Sequence, residues 1–208
     1  MRIGLFSDTY TPEINGVVSS VLMLKEGLED LGHEVWVLAP GHPATSDDDD
    51  HIVRIPSMPL VVLPERRVAT PLEIGLIRKI RSLNLDIVHT HTEFGVGSFG
   101  FRAASKFDIP HVHTYHTVYE EYTHYVALRI FDAPAKVAVR QFTRLVCERC
   151  ERIVAPTQKT KDLLVRYKVG VPIDVAPTGV DLDRFYMPSE SDRPRLADLK
   201  KSLGIDGF

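Results

Sequence analysis

Short apolar runs alternate with segments of helical periodicity along this chain. Residues 2–7 and Val35–Ala39 are largely apolar runs, a pattern typical of strands that are buried on both faces. Between them, apolar residues recur every three or four positions from Val17 to Leu31, which predicts a helix with one apolar stripe. The chain therefore opens with a βαβ unit, in which a helix connects two parallel strands.

The same alternation continues through the rest of the sequence. Further strands are predicted at Ile52–Ile55, Asp86–His89, His111–Tyr115, Ile153–Pro156 and Ile173–Ala176. Further helices are predicted at Leu72–Ile80, Gly95–Phe107, Ala133–Cys150 and Thr157–Tyr167, the last with Thr157 as its N-cap. The stretch from Pro56 to Pro71 is interpreted as irregular because prolines interrupt it. Strands and helices in alternation predict an α/β fold with a doubly wound, mostly parallel sheet.

The composition is that of an ordinary globular domain without a strong charge. At 208 residues the chain has room for one domain, or for one domain and part of another. Its 25 Lys and Arg residues and 28 Asp and Glu residues give a net charge of −3, so no global basic field attracts nucleic acid. No apolar stretch has the length of a spanning helix or the form of a signal peptide, and two cysteines make no disulfide framework. We therefore expect a cytoplasmic protein.

The loops that follow the strands hold the candidate residues, because ligands bind beyond the carboxyl ends of a doubly wound sheet. The first such loop begins at Asp8 and leads to Asn15, Gly16 and Val17 at the start of the first helix. A glycine there lets the backbone approach a ligand, and a helix N-terminus suits a phosphate. The turn lacks the three-glycine spacing of a dinucleotide fingerprint, so a purely structural glycine is the alternative.

Five of the nine histidines lie between His89 and His116. His111 and His113 are two positions apart on a strand, so they point to the same face of the sheet. We expect His89, His111 and His113 to be structural, each bonded to a backbone carbonyl. His116 follows its strand and is predicted to face the ligand crevice. Glu93 is predicted to face the same crevice, with a solvated loop carboxylate as the alternative.

The run from His89 to Glu93 permits a second hypothesis. His89 and His91, one residue apart, together with Glu93 resemble the metal-binding strand end of polymerase-and-histidinol-phosphatase-type phosphoesterases. The alternative function is therefore metal-dependent hydrolysis of a phosphoester. Those enzymes carry the motif near the amino terminus of a barrel, whereas here it lies in the middle of the chain.

Three other patterns have both an ordinary and a functional interpretation. Arg78, Lys79 and Arg81 form a basic helix face, which is either a solvated surface or a contact with anionic lipid. Cys147 and Cys150 have the spacing of a redox pair but lie at the end of a helix, so a packed, unreactive pair is expected. Tyrosines near His116 form either core or a wall facing an acceptor; they are Tyr115, Tyr119, Tyr122 and Tyr125.

Taken in order, the motifs resemble glycosyltransferase family 4. The segments Arg2–Tyr10, Asn15–Val17 and Gly32–Val35 resemble the opening of that family. The match continues with Asp86–His89, Thr92–Glu93, His113–Thr117, Ala155–Thr157 and Pro177–Asp181. The resemblance covers nearly the whole chain. It is strongest to the bacterial diacylglycerol glucosyltransferases and more distant to the phosphatidylinositol mannosyltransferases.

The resemblance implies a GT-B architecture, in which two Rossmann-like domains face a cleft. Residues 1–186 are then the amino-terminal, acceptor-binding domain, and residues 187–208 are a linker and the start of a carboxyl-terminal donor-binding domain. The donor motif of the family lies in that second domain and is absent from this sequence, so the chain alone is expected to be inactive.

Roles for particular residues are also implied by the resemblance. Gly16, flanked by Asn15 and Val17, would present its backbone N–H to the donor pyrophosphate, and His116 would lie beside the reacting sugar. The implied cleft residues are Asp8, Glu93, Thr178, Gly179 and Asp181, the implied acceptor residues are Tyr119 and Tyr122, and the implied membrane-docking residues are Arg78, Lys79 and Arg81.

The expected function is a retaining transfer of a hexose to a lipid. The donor is a nucleotide sugar such as UDP-glucose, the acceptor is a lipid such as diacylglycerol, and the enzyme lies on the inner face of the cell membrane. No metal ion, other cofactor or nucleic-acid partner is expected. A soluble sugar or sugar-phosphate acceptor and a non-catalytic membrane-surface module are the alternatives.

Overall fold

The computed structural model describes residues 1–45, 49–59, 67–69, 74–116, 132–180 and 190–205. Its strands are β1 Arg2–Phe6, β2 Glu34–Pro40, β3 Ile52–Ile55, β4 Ser57–Pro59, β5 Arg67–Ala69, β6 Ile87–Thr90, β7 His111–Thr114, β8 Arg152–Ala155 and β9 Ile173–Val175. Its helices are α1 Gly16–Asp30, α2 Ile74–Ser82, α3 Gly95–Phe107, α4 Asp132–Cys147, α5 Gln158–Arg166 and α6 Arg193–Leu203, with a 3₁₀ turn at Glu190–Asp192.

Among the described residues, seven strands form one parallel sheet in the order β3-β2-β1-β6-β7-β8-β9. The chain builds outward from β1 to β3 and then returns to the other side of β1 with β6. The predicted doubly wound parallel sheet is therefore confirmed. The reversal creates a topological switch point between β1 and β6, where the loops beyond the two strands diverge and leave a crevice.

The sheet is covered on both faces, which explains the continuous apolar runs of the sequence. On one face, Ile3 and Leu5 of β1 pack in a cluster with Val21 of α1. On the opposite face, Phe6 packs in a cluster with Leu76 of α2 and with residues of α3. Successive residues of a strand point to opposite faces, so β1 contributes side chains to both cores.

A third core cluster covers the β7–β9 half of the sheet and contains both cysteines. Cys147 and Cys150 are free thiols and are buried. Burial raises the pKa of the Cys147 thiol to about 12 and raises that of the Cys150 thiol as well. Tyr115 is buried in this cluster, and its hydroxyl shares a 3.3 Å hydrogen bond with Thr143 Oγ1. The expectation that the cysteine pair is packed is confirmed, and Tyr115 is core.

The interpretation of the 56–71 stretch as irregular is wrong in part. Ser57–Pro59 and Arg67–Ala69 pair as a short antiparallel ladder. Side-chain bonds hold the two segments together, since the Arg67 guanidinium donates to Ser57 Oγ at 2.8 Å and to the Ser57 carbonyl at 2.7 Å. Strands of three residues beside prolines carry too little periodicity for the sequence to predict them.

The chain divides into two compact units, Met1–Thr178 and Gly179–Phe208. The first contains the whole parallel sheet. In the second, the described residues form the 3₁₀ turn and α6, which ends at Gly204 with a left-handed φ of 66°.

Helix α3 begins close against the loop that follows β6. A Cβ added at Gly97 would overlap the backbone carbonyl of Thr92. The glycine is therefore required for α3 to start at this point, close to the switch point.

Substitution of Gly97 tests this packing. Gly97→Ala is expected to lower the free energy of unfolding by about 2 kcal/mol or more, because backbone rather than a flexible side chain must move. Gly27→Ala is the control, since Gly27 lies in α1 with open space around it and should gain about 0.5–1 kcal/mol from higher helix propensity. Urea unfolding of both variants provides the measurement, and equal stabilities would contradict the packing described.

Candidate functional site

The loop after β1 fixes the start of α1. Asn15 is the N-cap, and its side-chain oxygen accepts hydrogen bonds of 3.0 Å from the backbone N–H groups of Val17 and Val18. The Asn15 amide in turn donates to Thr9 Oγ1 at 2.8 Å, which fixes its orientation. The N–H of Val17 is thus occupied, while that of Gly16 has no acceptor among the described residues. Within the predicted phosphate-binding turn, the N–H of Gly16 is therefore open.

The folded chain itself does not require a glycine at Gly16. The residue is exposed, its φ is not positive, and a Cβ added to it would meet no atom within 4 Å. Gly95 is a contrast, since its φ is 38° and a Cβ there would overlap the Asp8 carboxylate. Open space next to a free N–H at a helix N-terminus is the arrangement that suits a phosphate.

Asp8 caps α3 from the neighbouring strand. Its Oδ1 accepts a 2.6 Å hydrogen bond from the Val96 N–H, at a helix whose N-cap residue, Phe94, supplies no side-chain capping hydrogen bond. The Asp8 backbone N–H donates to Thr92 Oγ1 at 3.0 Å, so the loops after β1 and β6 are joined. Burial raises the pKa of the Asp8 carboxyl to about 6. Asp8 therefore lies at the switch point, as predicted, and its Oδ1 is used to cap α3.

Buried threonine hydroxyls hold the histidines of β6 and β7. Thr90 Oγ1 shares hydrogen bonds with His111 Nε2 at 2.9 Å and with His113 Nδ1 at 2.8 Å. His89 Nε2 shares one of 2.7 Å with Thr114 Oγ1. The prediction that His111 and His113 point to one face is confirmed. The expectation of a backbone carbonyl partner is confirmed for His111, which also bonds the Arg149 backbone. His89 and His113 instead bond threonine hydroxyls of the adjacent strand, and register places Thr90 opposite His113.

His116 is linked to the buried histidines through His91. The His91 ring stacks on His89 with centroids 4.4 Å apart. Its Nδ1 shares a 3.0 Å hydrogen bond with His116 Nε2. His91 is buried, whereas His116, which lies beyond the carboxyl end of β7, is partly exposed. The rings of His89, His91 and His116 therefore form a continuous row from the sheet interior to the carboxyl ends of the strands. The imidazole at the end of this row, that of His116, is accessible.

Glu93 is a buried carboxylate. Its side chain is 4% exposed, and its Oε1 lies 3.5 Å from His113 Nε2, a contact that is not a hydrogen bond. The alternative of a solvated loop carboxylate is therefore wrong, because the loop after β6 folds inward against β7.

Four histidines of this site, His89, His91, His111 and His116, are uncharged at neutral pH. Burial lowers the pKa of His89 and of His111 to about 3, that of His91 well below its ordinary range and that of His116 to about 4, with repulsion between the rings adding to the effect. A neutral imidazole carries one N–H donor and one lone-pair acceptor. The site can therefore orient hydroxyl groups and phosphate oxygens by hydrogen bonds.

The metal-binding alternative receives no support from the geometry. Within the described ranges, no group of three or more His, Cys, Asp or Glu side chains could hold a metal ion. His89 and His91 stack face to face, and Glu93 lies beside His113 rather than beside either of them. The three residues therefore do not converge as ligands.

The basic face predicted on α2 is exposed. Arg78, Lys79 and Arg81 lie on the solvent side, while Leu76 and Ile80 are buried against the sheet. The apolar stripe of α2 is thus used within the core. Across the part of the chain that the structure describes, no helix combines the length and apolar character needed to cross a membrane.

The remaining predicted residues are exposed or lie outside the described residues. Thr178 and Gly179 are exposed and belong to different units of the chain. Asp181, Tyr119 and Tyr122 lie outside the described residues.

Three threonines that support the site were not predicted from the sequence. Thr92 bonds the backbone of Asp8, and Thr90 and Thr114 bond the histidines of β6 and β7. The available signal was the alternation of histidine and threonine after residue 88, since residues that alternate on adjacent parallel strands meet across the ladder.

These features define an α/β domain of the Rossmann-like class, with a phosphate-compatible helix N-terminus and a neutral histidine at the switch-point edge. A model described as Glycosyltransferase Family 4 matches residues 14–184, more than half of the chain. The chain belongs to this family, and the predicted resemblance is confirmed.

Known relatives are similar over nearly the whole chain. An alpha-monoglucosyldiacylglycerol synthase of Acholeplasma laidlawii is 39% identical over 99% of this chain and 52% of the relative. A protein of the same name from Streptococcus pneumoniae is 39% identical over 99% of this chain and 46% of the relative. The chain therefore spans about half the length of the curated relatives it matches.

A solved structure confirms the fold. Anabaena HepE in complex with UDP-glucose superposes with a TM-score of 0.62 at 15% identity, over 100% of this chain and 50% of that protein. The predicted GT-B half-fold is thus confirmed.

Because several histidines are buried as neutral rings, we expect acid to lower the stability of the fold. Because their pKa values are lower in the folded chain, the unfolded chain binds more protons below about pH 6.5, and the free energy of unfolding falls as pH falls. Each such histidine contributes up to about 1.4 kcal/mol per pH unit. Asp8 opposes this between about pH 4 and 6, because its folded-state pKa is raised.

Two variants separate the contributions of the histidines and of Asp8 to the pH dependence of stability. His89→Gln is expected to make the dependence of stability on pH shallower, and Asp8→Asn is expected to make it steeper. Urea unfolding from pH 7 to 4.5 measures both slopes. A wild-type stability that is flat over this range, or variants that both run parallel to it, would contradict the assignment of neutral histidines.

Proposed function

We propose that this chain is the acceptor-side domain of a retaining glycosyltransferase that transfers glucose from UDP-glucose to diacylglycerol. The observation that carries this proposal is the 39% identity to two alpha-monoglucosyldiacylglycerol synthases over 99% of the chain. An identity maintained from end to end supports the same role for the corresponding half of each protein.

The donor diphosphate is bound in part by the start of α1. The open N–H of Gly16 and the positive end of the helix dipole both favour an anion. The Asn15 cap holds the first turn in place without occupying that N–H. Fixed donors of this kind stabilise developing negative charge without reorganisation, so they suit a leaving diphosphate.

His116 orients the reacting sugar by a hydrogen bond. Its pKa of about 4 keeps the ring neutral at physiological pH, so it is not a proton source there. Binding through a neutral side chain contributes by positioning and by complementing polar groups in the transition state. We propose that no metal ion is needed for the transfer.

A basic surface beside the sheet brings the domain to anionic lipid. Arg78, Lys79 and Arg81 of α2 and Arg102 and Lys106 of α3 are exposed, and neither helix contains an acidic residue. Both helices pack on the same face of the sheet. The apolar side of α2 is buried, so the attraction is electrostatic, at about 1 kcal/mol for each cation near the surface. The membrane association proposed here is therefore peripheral and salt-sensitive.

A chimera tests the proposed reaction. The 208-residue chain replaces the amino-terminal half of the S. pneumoniae synthase, and the product is assayed with labelled UDP-glucose and diacylglycerol in anionic vesicles. We expect labelled glucosyldiacylglycerol, unchanged by EDTA and reduced by high salt. Neutral vesicles and the parent synthase are the controls. A folded chimera that binds vesicles but transfers no sugar would contradict the proposal and favour a membrane-surface module.

Two substitutions in the chimera test the site. Gly16→Ala places a methyl group where only a ligand would meet it, so transfer should fall about tenfold or more while stability is kept. His116→Ala should lower turnover by a factor on the order of 100. Gly27→Ala, in the same helix as Gly16, is the matched control and should keep full activity. Equal activity in all three variants would show that neither Gly16 nor His116 contributes to the transfer.

A further inference from the structure

We propose that His91 is a positioning residue that fixes the tautomer of His116, so that His116 presents an N–H, rather than a lone pair, at the accessible edge of the sheet. What His116 then contacts rests on the proposed function, whereas the tautomer itself follows from the geometry of the two rings.

The two rings share one hydrogen. His91 Nδ1 and His116 Nε2 lie 3.0 Å apart, and a hydrogen bond between two neutral imidazoles needs a proton on only one of these atoms. If His116 donates, His91 carries its proton on Nε2 and His116 Nδ1 is a bare lone pair. If His91 donates from Nδ1, its Nε2 is the bare atom and His116 carries its proton on Nδ1.

The surroundings of His91 distinguish the two arrangements. His91 is 2% exposed, and its Nε2 is buried without a hydrogen-bond partner. The first arrangement would bury an N–H with no acceptor, whereas the second buries only an unused lone pair. Orphaned buried N–H groups are rarer in proteins than under-used acceptors, so the second arrangement is favoured.

Neighbouring residues hold His91 in this orientation. Its ring stacks on His89, and His89 is bonded at 2.7 Å to Thr114 on the adjacent strand. His116 is partly exposed, and its Nδ1 makes no hydrogen bond to a described residue. The Nδ1–H of His116 is therefore free to bind a ligand while its Nε2 is anchored.

This tautomer restricts the chemistry of His116. An N–H donor at the accessible nitrogen pairs with an oxygen acceptor, such as a sugar hydroxyl or a phosphate oxygen. It does not accept a proton from a nucleophile at that nitrogen. His116 thus acts as a hydrogen-bond donor to the sugar or diphosphate rather than as a general base.

Nitrogen NMR on the complete 208-residue chain tests the tautomer directly. With ¹⁵N-labelled histidine, long-range proton–nitrogen spectra show which ring nitrogen carries the proton, and His116→Gln identifies the His116 signals. We expect a protonated Nδ1 and a bare Nε2 at His116. A protonated Nε2 at His116 in the wild-type chain would overturn the proposal.

Two variants at His91 test the positioning role. His91→Leu removes the hydrogen bond, so the His116 signals should shift towards protonation at Nε2. His91→Asn retains an amide donor near the former Nδ1 and should restore the wild-type pattern. An unchanged His116 pattern in folded His91→Leu would overturn the role of His91. If His91→Leu does not fold, the wild-type tautomer and the His91→Asn pattern still decide the question.

Activity in the chimera separates this inference from the proposed function. His91→Leu should lower kcat about tenfold or more with KM for UDP-glucose changed less than threefold, and His91→Asn should recover most of the loss. A wild-type chimera without activity, together with the expected NMR pattern, would overturn the proposed function and leave the tautomer established. Activity that is equal in wild type and folded His91→Leu would overturn the catalytic importance of His91.

Discussion

Strand β1 is buried on both of its faces, and this burial determines where polar chemistry can occur. Ile3 and Leu5 pack on one side and Phe6 on the other, so the strand has no free surface for a ligand. Polar chemistry is therefore confined to the loops beyond the strand end. The reversal of strand order between β1 and β6 opens those loops into a crevice, and Asp8 ties the two loops together.

Behind that crevice, the structure buries imidazole rings as neutral groups rather than as ions. A charged ring in this position would be costly to desolvate, whereas a neutral ring needs only hydrogen-bond partners. Thr90 and Thr114 supply these partners from adjacent strands. The result is a rigid support for His116, which is the member of the group that stays accessible.

The order of strands and helices was predictable because both faces of the sheet are covered. Strands therefore appear as continuous apolar runs, and helices appear as apolar residues repeated every three or four positions. The Thr157 cap followed from local turn chemistry, since its side chain accepts a hydrogen bond from the Thr160 N–H. The β4–β5 ladder was not predictable, since it depends on contacts of Arg67 with a distant Ser57. In the site, the positions of Gly16 and His116 after strands were predictable, but the burial of Glu93 and the threonine partners were not. The threonine partners depend on which residues of β6 and β7 face each other, and the burial of Glu93 depends on the path of the loop after β6.

Competition between two acceptors distinguishes transfer to a lipid from transfer to a soluble sugar phosphate. The chimera is given UDP-glucose with diacylglycerol in anionic vesicles and a soluble sugar phosphate at equal concentration, and both products are identified by mass spectrometry. If diacylglycerol is the acceptor, label enters the lipid phase as a glucosyl lipid. Label found in the water-soluble sugar phosphate, with none in the lipid, would contradict this assignment.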